Sequence, residues 1–281
     1  MAGTLFLVST PIGNLDDMTY RAVEVLGSVD TVLAEDTRRT RILLDHYRIA
    51  VDSLLSYHEH NEAARTQEMR TALAAGASVA LVSDSGTPLI SDPGLRLVRA
   101  ALEVGARVVP IPGPSAVLGA LVASGLDPQP FSFFGFVPRS GRERTALAAS
   151  LARLPHTAVL YESPQRLVRT LEWLAEMLGA ERPAVVAREL TKIHEEFRAG
   201  TLAGLAGHYR QHAPRGEVVI CLAGASLDAD YGEEEIRAAA RNLAADGAST
   251  REIVQTLRDR FGLERNRAYE IALQSGEEAG T

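Results

Sequence analysis

Three short stretches combine glycine, proline and small polar residues directly after apolar runs. They are Ser9-Thr10-Pro11-Ile12-Gly13-Asn14, Ser83-Asp84-Ser85-Gly86-Thr87-Pro88 and Pro112-Gly113-Pro114-Ser115-Ala116. Small side chains let a ligand come close to backbone amides, and Asp84 offers a carboxylate for a ribose hydroxyl or a positive centre. In an open parallel sheet, ligands bind beyond the carboxyl ends of the strands. One such loop is commonly a plain turn; three at successive strand ends point to a shared pocket. No glycine is followed by another two positions later. The dinucleotide fingerprint and the Walker phosphate loop are therefore absent as written.

Lys192 is conspicuous for a different reason. It is the single lysine among 29 basic residues, the other 28 being arginines. A compact ammonium that can lose its proton differs from a guanidinium that cannot, so Lys192 is a candidate general base. That role requires a pKa lowered by burial or by nearby arginine; the plainer reading is a phosphate anchor or a chance survivor. Arg188 and Glu189 stand where they could orient it, and Glu162 is a second candidate for the substrate cleft. His58 and His60 invite a metal, but no cysteine is near and no third ligand stands at a recognised spacing, so no metal is expected. Tyr57 and Phe134 could stack on a base or be buried in the core.

Arginines cluster twice. Arg38, Arg39, Arg41 and Arg48 lie close together, as do Arg139, Arg142, Arg144 and Arg153. Contacts to RNA phosphates, which position but do not specify, are one reading; solvated helix faces are the other. The net charge of −7 argues against broad nucleic-acid binding driven by counterion release. From Asp228 onward 12 acidic and 7 basic residues give −5, which leaves −2 for the rest. Local basic patches on a mildly acidic body suit a specific RNA partner.

The elements that must carry these residues read as α/β. Leu5 to Ser9, Thr31 to Ala34, Val79 to Val82 and Arg107 to Ile111 are short apolar strands. Amphipathic helices stand between them: one with Ala22, Val23 and Leu26 inward, one from about Asn61 to Ala75, and one capped by Asp92 with Pro93 in its first turn. Strands without polar alternation, interleaved with helices, predict a mostly parallel sheet covered on both faces. A second α/β unit has strands at Phe131 to Phe136, Ala158 to Tyr161, Ala184 to Ala187 and Glu217 to Ala223, with a helix from Ser163-Pro164 to Gly179. Asp228 to Glu235 reads as a linker. Beyond it Ile236, Ala240 and Leu243 mark one helix, Ser249-Thr250-Arg251-Glu252 is a capping box opening another, and Ala268, Ile271 and Ala272 mark a third. The expected fold is two α/β domains with mixed or parallel sheets, residues 1–118 and 119–227, plus a helix-turn-helix-like tail over 228–281. The acidic tail is a poor DNA reader.

The first residues lack the basic and long apolar segments of a signal peptide, and no apolar run is long enough to span a bilayer. The single Cys221 lies in an apolar run and is expected as a buried thiol. A cytoplasmic location without membrane association is expected.

Taken in order, Thr10 to Leu15, Ala34-Glu35-Asp36-Thr37-Arg38, His58-Glu59-His60-Asn61-Glu62, Ser83 to Gly94, Pro112 to Ala116, Tyr161-Glu162-Ser163 and Ala187 to Lys192 resemble the small-subunit ribosomal RNA 2′-O-ribose methyltransferases of the tetrapyrrole-methylase superfamily. The resemblance runs from about residue 4 to 224, and the tail is similar to that family's helix-turn-helix module. It implies S-adenosylmethionine between the two α/β domains, a homodimer, and a cytidine of the 16S rRNA decoding region as substrate. By motif, Pro11, Ile12, Gly13, Asp84, Ser85, Gly86, Thr87, Ser115 and Ala116 would line the cofactor. Ser85 stands where the family often has alanine. Catalysis falls to Lys192, Glu189 and Glu162; Arg38, Arg39, Arg41, Arg139, Arg142, Arg144 and Arg188 would touch RNA, and Asp36 would cap a helix while facing the cleft. Methylation of a tetrapyrrole, or a non-catalytic RNA- or protein-binding role, remains as an alternative.

Overall fold

The computed structural model describes residues 1–225, 233–245, 248–261, 263 and 265–279. The first sheet contains β1 (Thr4–Val8), β2 (Thr31–Ala34), β3 (Leu54–Ser56), β4 (Ser78–Val82) and β5 (Arg107–Ile111) in the order β3-β2-β4-β1-β5. All its pairings are parallel. Helices cover both faces: α1 (Tyr20–Leu26), α2 (Thr37–His46), α3 (Glu62–Ala74) and α4 (Leu95–Glu103). The two faces of the sheet feed two apolar clusters, one around Val32, Leu44 and Val82, the other around Leu5, Leu73 and Leu97. That double burial explains why Val79-Ala80-Leu81-Val82 shows no polar alternation.

The next helix, α5 (Ala116–Ala123), is capped by the Ser115 hydroxyl, which accepts from Leu118 N. Its Val117, Ala120 and Leu121 pack with Val159, Val185 and Val219 of the second sheet, so the expected boundary at residue 118 falls within an element that belongs by packing to the second unit. That sheet comprises β6 (Phe131–Phe136), β7 (Thr157–Glu162), β8 (Pro183–Arg188), β9 (Glu196–Thr201) and β10 (Val218–Leu222), ordered β6-β7-β10-β8-β9. Only β6 and β7 run parallel; the rest are antiparallel. The register between β6 and β7 shifts between Phe133 and Phe136. Gly135 sits there with φ +68°, a left-handed conformation that glycine adopts without strain. The helices α6 (Gly141–Arg153), α7 (Leu167–Leu178) and α8 (Leu202–Gln211) complete the unit. Cys221 is fully buried in β10, and burial pushes its thiol up to about 12.

Two helix starts differ from expectation. Asp92 does not cap α4; Gly94, at φ +142°, holds the N-cap position and Asp92 stands in the preceding loop. Ser163 and Pro164 form a turn, and α7 opens three residues later at Leu167.

The tail has α9 (Glu233–Ala245), α10 (Thr250–Phe261) and α11 (Arg265–Ala279) around Ile236, Ala240, Leu257, Phe261 and Ile271. The capping box forms: Ser249 N–H donates to Glu252 Oε2 at 2.8 Å, and Glu252 N–H to Ser249 Oγ at 3.4 Å. Most of the expected linker, 228–232, lies outside the described residues. No described helix is long and apolar enough to cross a membrane.

Candidate active site

A cavity of about 400 Å3 opens between the two sheets, within the range of about 300–1,000 Å3 usual for small-molecule sites. Its first-sheet wall is the loop after β4, from Asp84 to Thr87 and from Ile90 to Asp92, together with Ile12, Glu35 and Arg39. Its second-sheet wall includes Phe136, Tyr161, Glu162, Leu190 and Val219, with Ser115 and Ala116 between. Loops after parallel strands thus face the other domain, as the strand-end rule requires.

The loops are tied to one another before any ligand arrives. Thr10 and Gly86 exchange backbone hydrogen bonds at 2.9 and 3.0 Å. Ser9 Oγ lies 3.0 Å from Thr87 Oγ1, and Thr87 Oγ1 donates to Pro114 O. Gly86, at φ +83°, spends both its backbone groups on this bridge, so its contribution to a ligand is space. Asp84 accepts from Asp36 N–H at 2.8 Å and lies 3.5 Å from Arg39 Nη1, which locks the loop after β2 to the loop after β4. Asp36 caps α2 as expected, through Arg38 N–H.

Residues with positive φ cluster here. Leu89 and Ser91 flank Ile90; Glu189 and Thr191 flank Leu190. Side chains other than glycine and asparagine rarely adopt this conformation. Both pairs deliver the intervening apolar residue to the cavity wall, one from each sheet. Strain of this kind gathers at ligand sites.

Five carboxylates line the cavity: Glu35, Asp84, Asp92, Glu162 and Glu217. Asp84 is engaged as above. Glu162 is buried; Oε1 accepts from Ser163 N–H at 2.7 Å, and Oε2 from Thr170 Oγ1 at 2.6 Å, with Arg166 Nη2 at 3.3 Å. Those partners engage both its oxygens and tie it to α7, while Glu162 still borders the cavity. Glu217 pairs with Lys192 at 3.3 Å. Burial raises Asp92 to about 6, helped by the charges of Glu35 and Asp84 and opposed by a hydrogen bond with Ser83. Burial, then the charge of Asp84, also raises Glu35. Burial takes Tyr161 up to about 12, with Asp92 and Glu217 adding to the shift.

Lys192 does not meet the requirement for a base. Burial pulls its ammonium down, but the hydrogen bond to Glu189 at 2.9 Å and the charges of Glu217 and Glu189 outweigh it, and the net shift is upward. Its stem crosses Gly13, where an added Cβ would stand 2.6 Å from Lys192 Cγ. Lys192, Glu189 and Gly13 therefore form a buttress beside the cavity, whose lining takes Ile12 and Leu190 from these two loops and neither Pro11 nor Gly13. Arg188 is held by Glu196 at 2.9 Å and donates to Arg215 O, away from Lys192. Arg38 pairs with Asp36, and Arg39 is the member of its cluster that reaches the cavity. Arg41 and Arg142 are exposed on helices outside that wall.

Tyr57 is fully buried and bonds Glu62 and Thr66, so it has no face for a base. Phe134 packs partly buried against the second core. His58 and His60 stack edge to face at 5.9 Å, and no group of three metal-ligating side chains is found among the described residues. Asp92, Glu35 and Glu217 are the cavity carboxylates that sequence reasoning did not single out; the first two stood inside the quoted motifs, without a sign of their partners.

The cavity fits a nucleoside bearing a positive centre. Ile12, Ala116, Leu190 and Val219 offer apolar walls for a flat ring, while Asp84, Asp92 and Glu35 offer carboxylates for hydroxyls and a cation.

Residues 4–206 match the family described as Tetrapyrrole (Corrin/Porphyrin) Methylases. The chain is 46% identical over 274 residues to the "Ribosomal RNA small subunit methyltransferase I" of Synechocystis sp. (strain ATCC 27184 / PCC 6803 / Kazusa), covering 97% of this chain and 98% of that one. It is 51% identical over 227 residues to a protein of the same name from Mesorhizobium japonicum (strain LMG 29417 / CECT 9101 / MAFF 303099), covering 80% and 77%. Among solved structures, a uroporphyrin-III C-methyltransferase from Thermus thermophilus complexed with S-adenosylhomocysteine aligns with TM-score 0.56 at 20% identity, over 79% of this chain and 97% of that chain.

Proposed function

Because the chain belongs to the tetrapyrrole methylase family, in the branch of the small-subunit ribosomal RNA methyltransferases, we propose that it methylates the ribose 2′-hydroxyl of a cytidine in the decoding region of 16S rRNA, using S-adenosylmethionine. The observation that carries this reading is the near full-length match to a protein named for that RNA subunit. The tetrapyrrole enzymes share the fold at 18–22% identity, too distant to transfer a substrate. The Thermus structure holds the demethylated cofactor, which supports a sulfonium donor as occupant of the cavity.

S-adenosylmethionine supplies a methyl group activated by a sulfonium. The chain's own task is to hold the accepting oxygen in line and to take its proton. Ile12, Ala116, Leu190 and Val219 exclude water from the ring-binding wall; Asp84 and the loop it pins fix the ribose side. Of the five lining carboxylates, Asp84, Glu162 and Glu217 are already engaged. Asp92 is the one we assign as proton acceptor, because a carboxylate with a pKa near 6 is ionised at neutral pH and more basic than an ordinary one. Lys192 serves as a fixed positive charge at the edge of the cleft, anchored by Glu189 and Glu217.

We also take the protein to work in the cytoplasm as a homodimer; exposed Leu118, Val122 and Ile193 give apolar surface to a second copy. The deciding experiment maps 2′-O-methyl positions in 16S rRNA from cells with and without the gene, beside transfer of labelled methyl to small subunits in vitro. A single cytidine that loses its methyl group is expected. An unchanged map with no transfer in vitro would overturn the assignment.

A further inference from the structure

Behind the cleft wall, a second hollow of about 310 Å3 is lined by Arg139, Arg144, Arg166, Arg169 and Thr170. Four guanidinium groups around one hollow repel one another unless an anion joins them. The local carboxylate does not suffice. Glu162 reaches Arg166 alone, at 3.3 Å, and no described carboxylate pairs with Arg139, Arg144 or Arg169. Elsewhere the arrangement is the opposite: Arg38, Arg39 and Arg188 each have a carboxylate at 2.8, 3.5 and 2.9 Å.

Arg166 and Arg144 are also held by uncharged groups, backbone carbonyls and a ring. Arg166 donates to Val137 O at 2.7 Å and to Pro138 O at 3.3 Å, the carbonyls that follow β6. Arg144 lies 4.2 Å over the Trp173 ring and donates to Arg139 O at 2.9 Å. Its Nε is buried without a partner, a donor left over in the resting protein. Charged donors around a hollow, two of them held in place, are the arrangement that binds a phosphate with two parallel hydrogen bonds. The hollow is joined to the cleft at two points. Glu162 lines the cleft and holds Arg166, and β6 carries Phe136 on the cleft wall three residues before Arg139.

We propose that Arg139, Arg144, Arg166 and Arg169 form a binding site for a backbone phosphate of the RNA, beside the nucleotide that enters the cleft. This rests on the RNA reading of the cleft. It adds Arg166 and Arg169 to the RNA contacts and separates this cluster from arginines already neutralised within the protein.

The test uses Arg139→Gln with Arg169→Gln, because both residues are exposed and carry no internal ion pair, so the fold does not depend on them. Filter binding of 16S rRNA is measured between 0.05 and about 0.3 M salt, in the range where counterion release sets the slope. The double variant is expected to weaken RNA binding about tenfold at moderate salt and to flatten the plot of log Kd against log salt by about 1 to 2 units. Its affinity for S-adenosylhomocysteine, by calorimetry, should stay at the wild-type value, since neither residue lines that cavity. An unchanged slope and affinity would overturn the site. An equal effect from Arg70→Gln, on α3, would reduce it to net charge and overturn it too. Wild-type protein whose RNA binding is flattened by the variant, yet which transfers no methyl group, would sink the enzymatic reading while upholding this phosphate site.

Discussion

Lys192 Nζ donates to Glu189 Oε1 at 2.9 Å, and the same ammonium stands 3.3 Å from Glu217 Oε2. One cation thus joins the turn after β8 to the start of β10. With its pKa shifted upward, the group stays protonated through neutral pH. Lys192→Arg should therefore keep most of the turnover, whereas Lys192→Met should lose about tenfold or more, since Glu189 and Glu217 then face each other unpaired. Methyl transfer to small subunits, assayed from pH 6 to 9, checks this. If arginine fails as completely as methionine, the lysine titrates after all.

Asp92 gives a pH signature with two parts. Its folded pKa, near 6, lies above the ordinary value of about 4. The native state then binds the proton more tightly than the unfolded chain, so stability falls as pH rises from about 4 to 6 and stays lower above that. Asp92→Asn removes this dependence, and the cofactor-free variant should be the more stable protein at pH 7.5, by urea unfolding. Its turnover should drop about 100-fold or more, and the acid limb of kcat/KM near pH 6 should vanish. A fully active asparagine variant would strip Asp92 of its role.

Asp84 acts through a neighbour's backbone as well as through its own charge. Asp84→Asn can still accept from Asp36 N–H, while Asp84→Ala leaves that donor and Arg39 without their partner. Affinity for S-adenosylhomocysteine should fall in the order wild type, asparagine, alanine, with the alanine variant weaker by about tenfold or more. Calorimetry measures it. Equal binding by all three would show that this aspartate lies outside the cofactor's reach.

What the sequence made legible follows from range. Val79 to Val82 reveals a strand buried on both faces, and Ser249 with Glu252 reveals a helix start, because each signal is complete within a few residues. The three glycine-rich loops betray the pocket for the same reason. Asp92 misleads: Asp-Pro before an apolar helix is a good local cap, yet Gly94 takes that position and Asp92 meets Glu35 and Asp84 from a distant strand end. Lys192 misleads likewise. Arg188, expected to orient it, is taken by Glu196 on β9, while Glu189, and Glu217 arriving from the start of β10, raise its pKa. Arg166 and Arg169, at the start of α7, draw no reading from the sequence, because it is the segment after β6 that brings Arg139 beside them. Pairings between separated strands set all three outcomes.

Glu162 separates structure from chemistry. Its side chain is fully buried among Ser163 N–H, Thr170 Oγ1 and Arg166 Nη2. Glu162→Ala would leave a buried hydroxyl without its acceptor and the Arg166 guanidinium without its carboxylate, at a cost of about 3 kcal/mol, the lower end for breaking a buried charge pair because Arg166 is 27% exposed. Urea unfolding should show that loss. Glu162→Gln keeps the shape and an acceptor oxygen, so it should recover part of the stability while S-adenosylhomocysteine binding stays near wild type. The two readouts should part company: stability falls steeply in alanine, and turnover per folded molecule falls by only a few-fold in glutamine. A glutamine variant that folds as well as wild type yet turns over 100-fold more slowly would return Glu162 to the catalytic group.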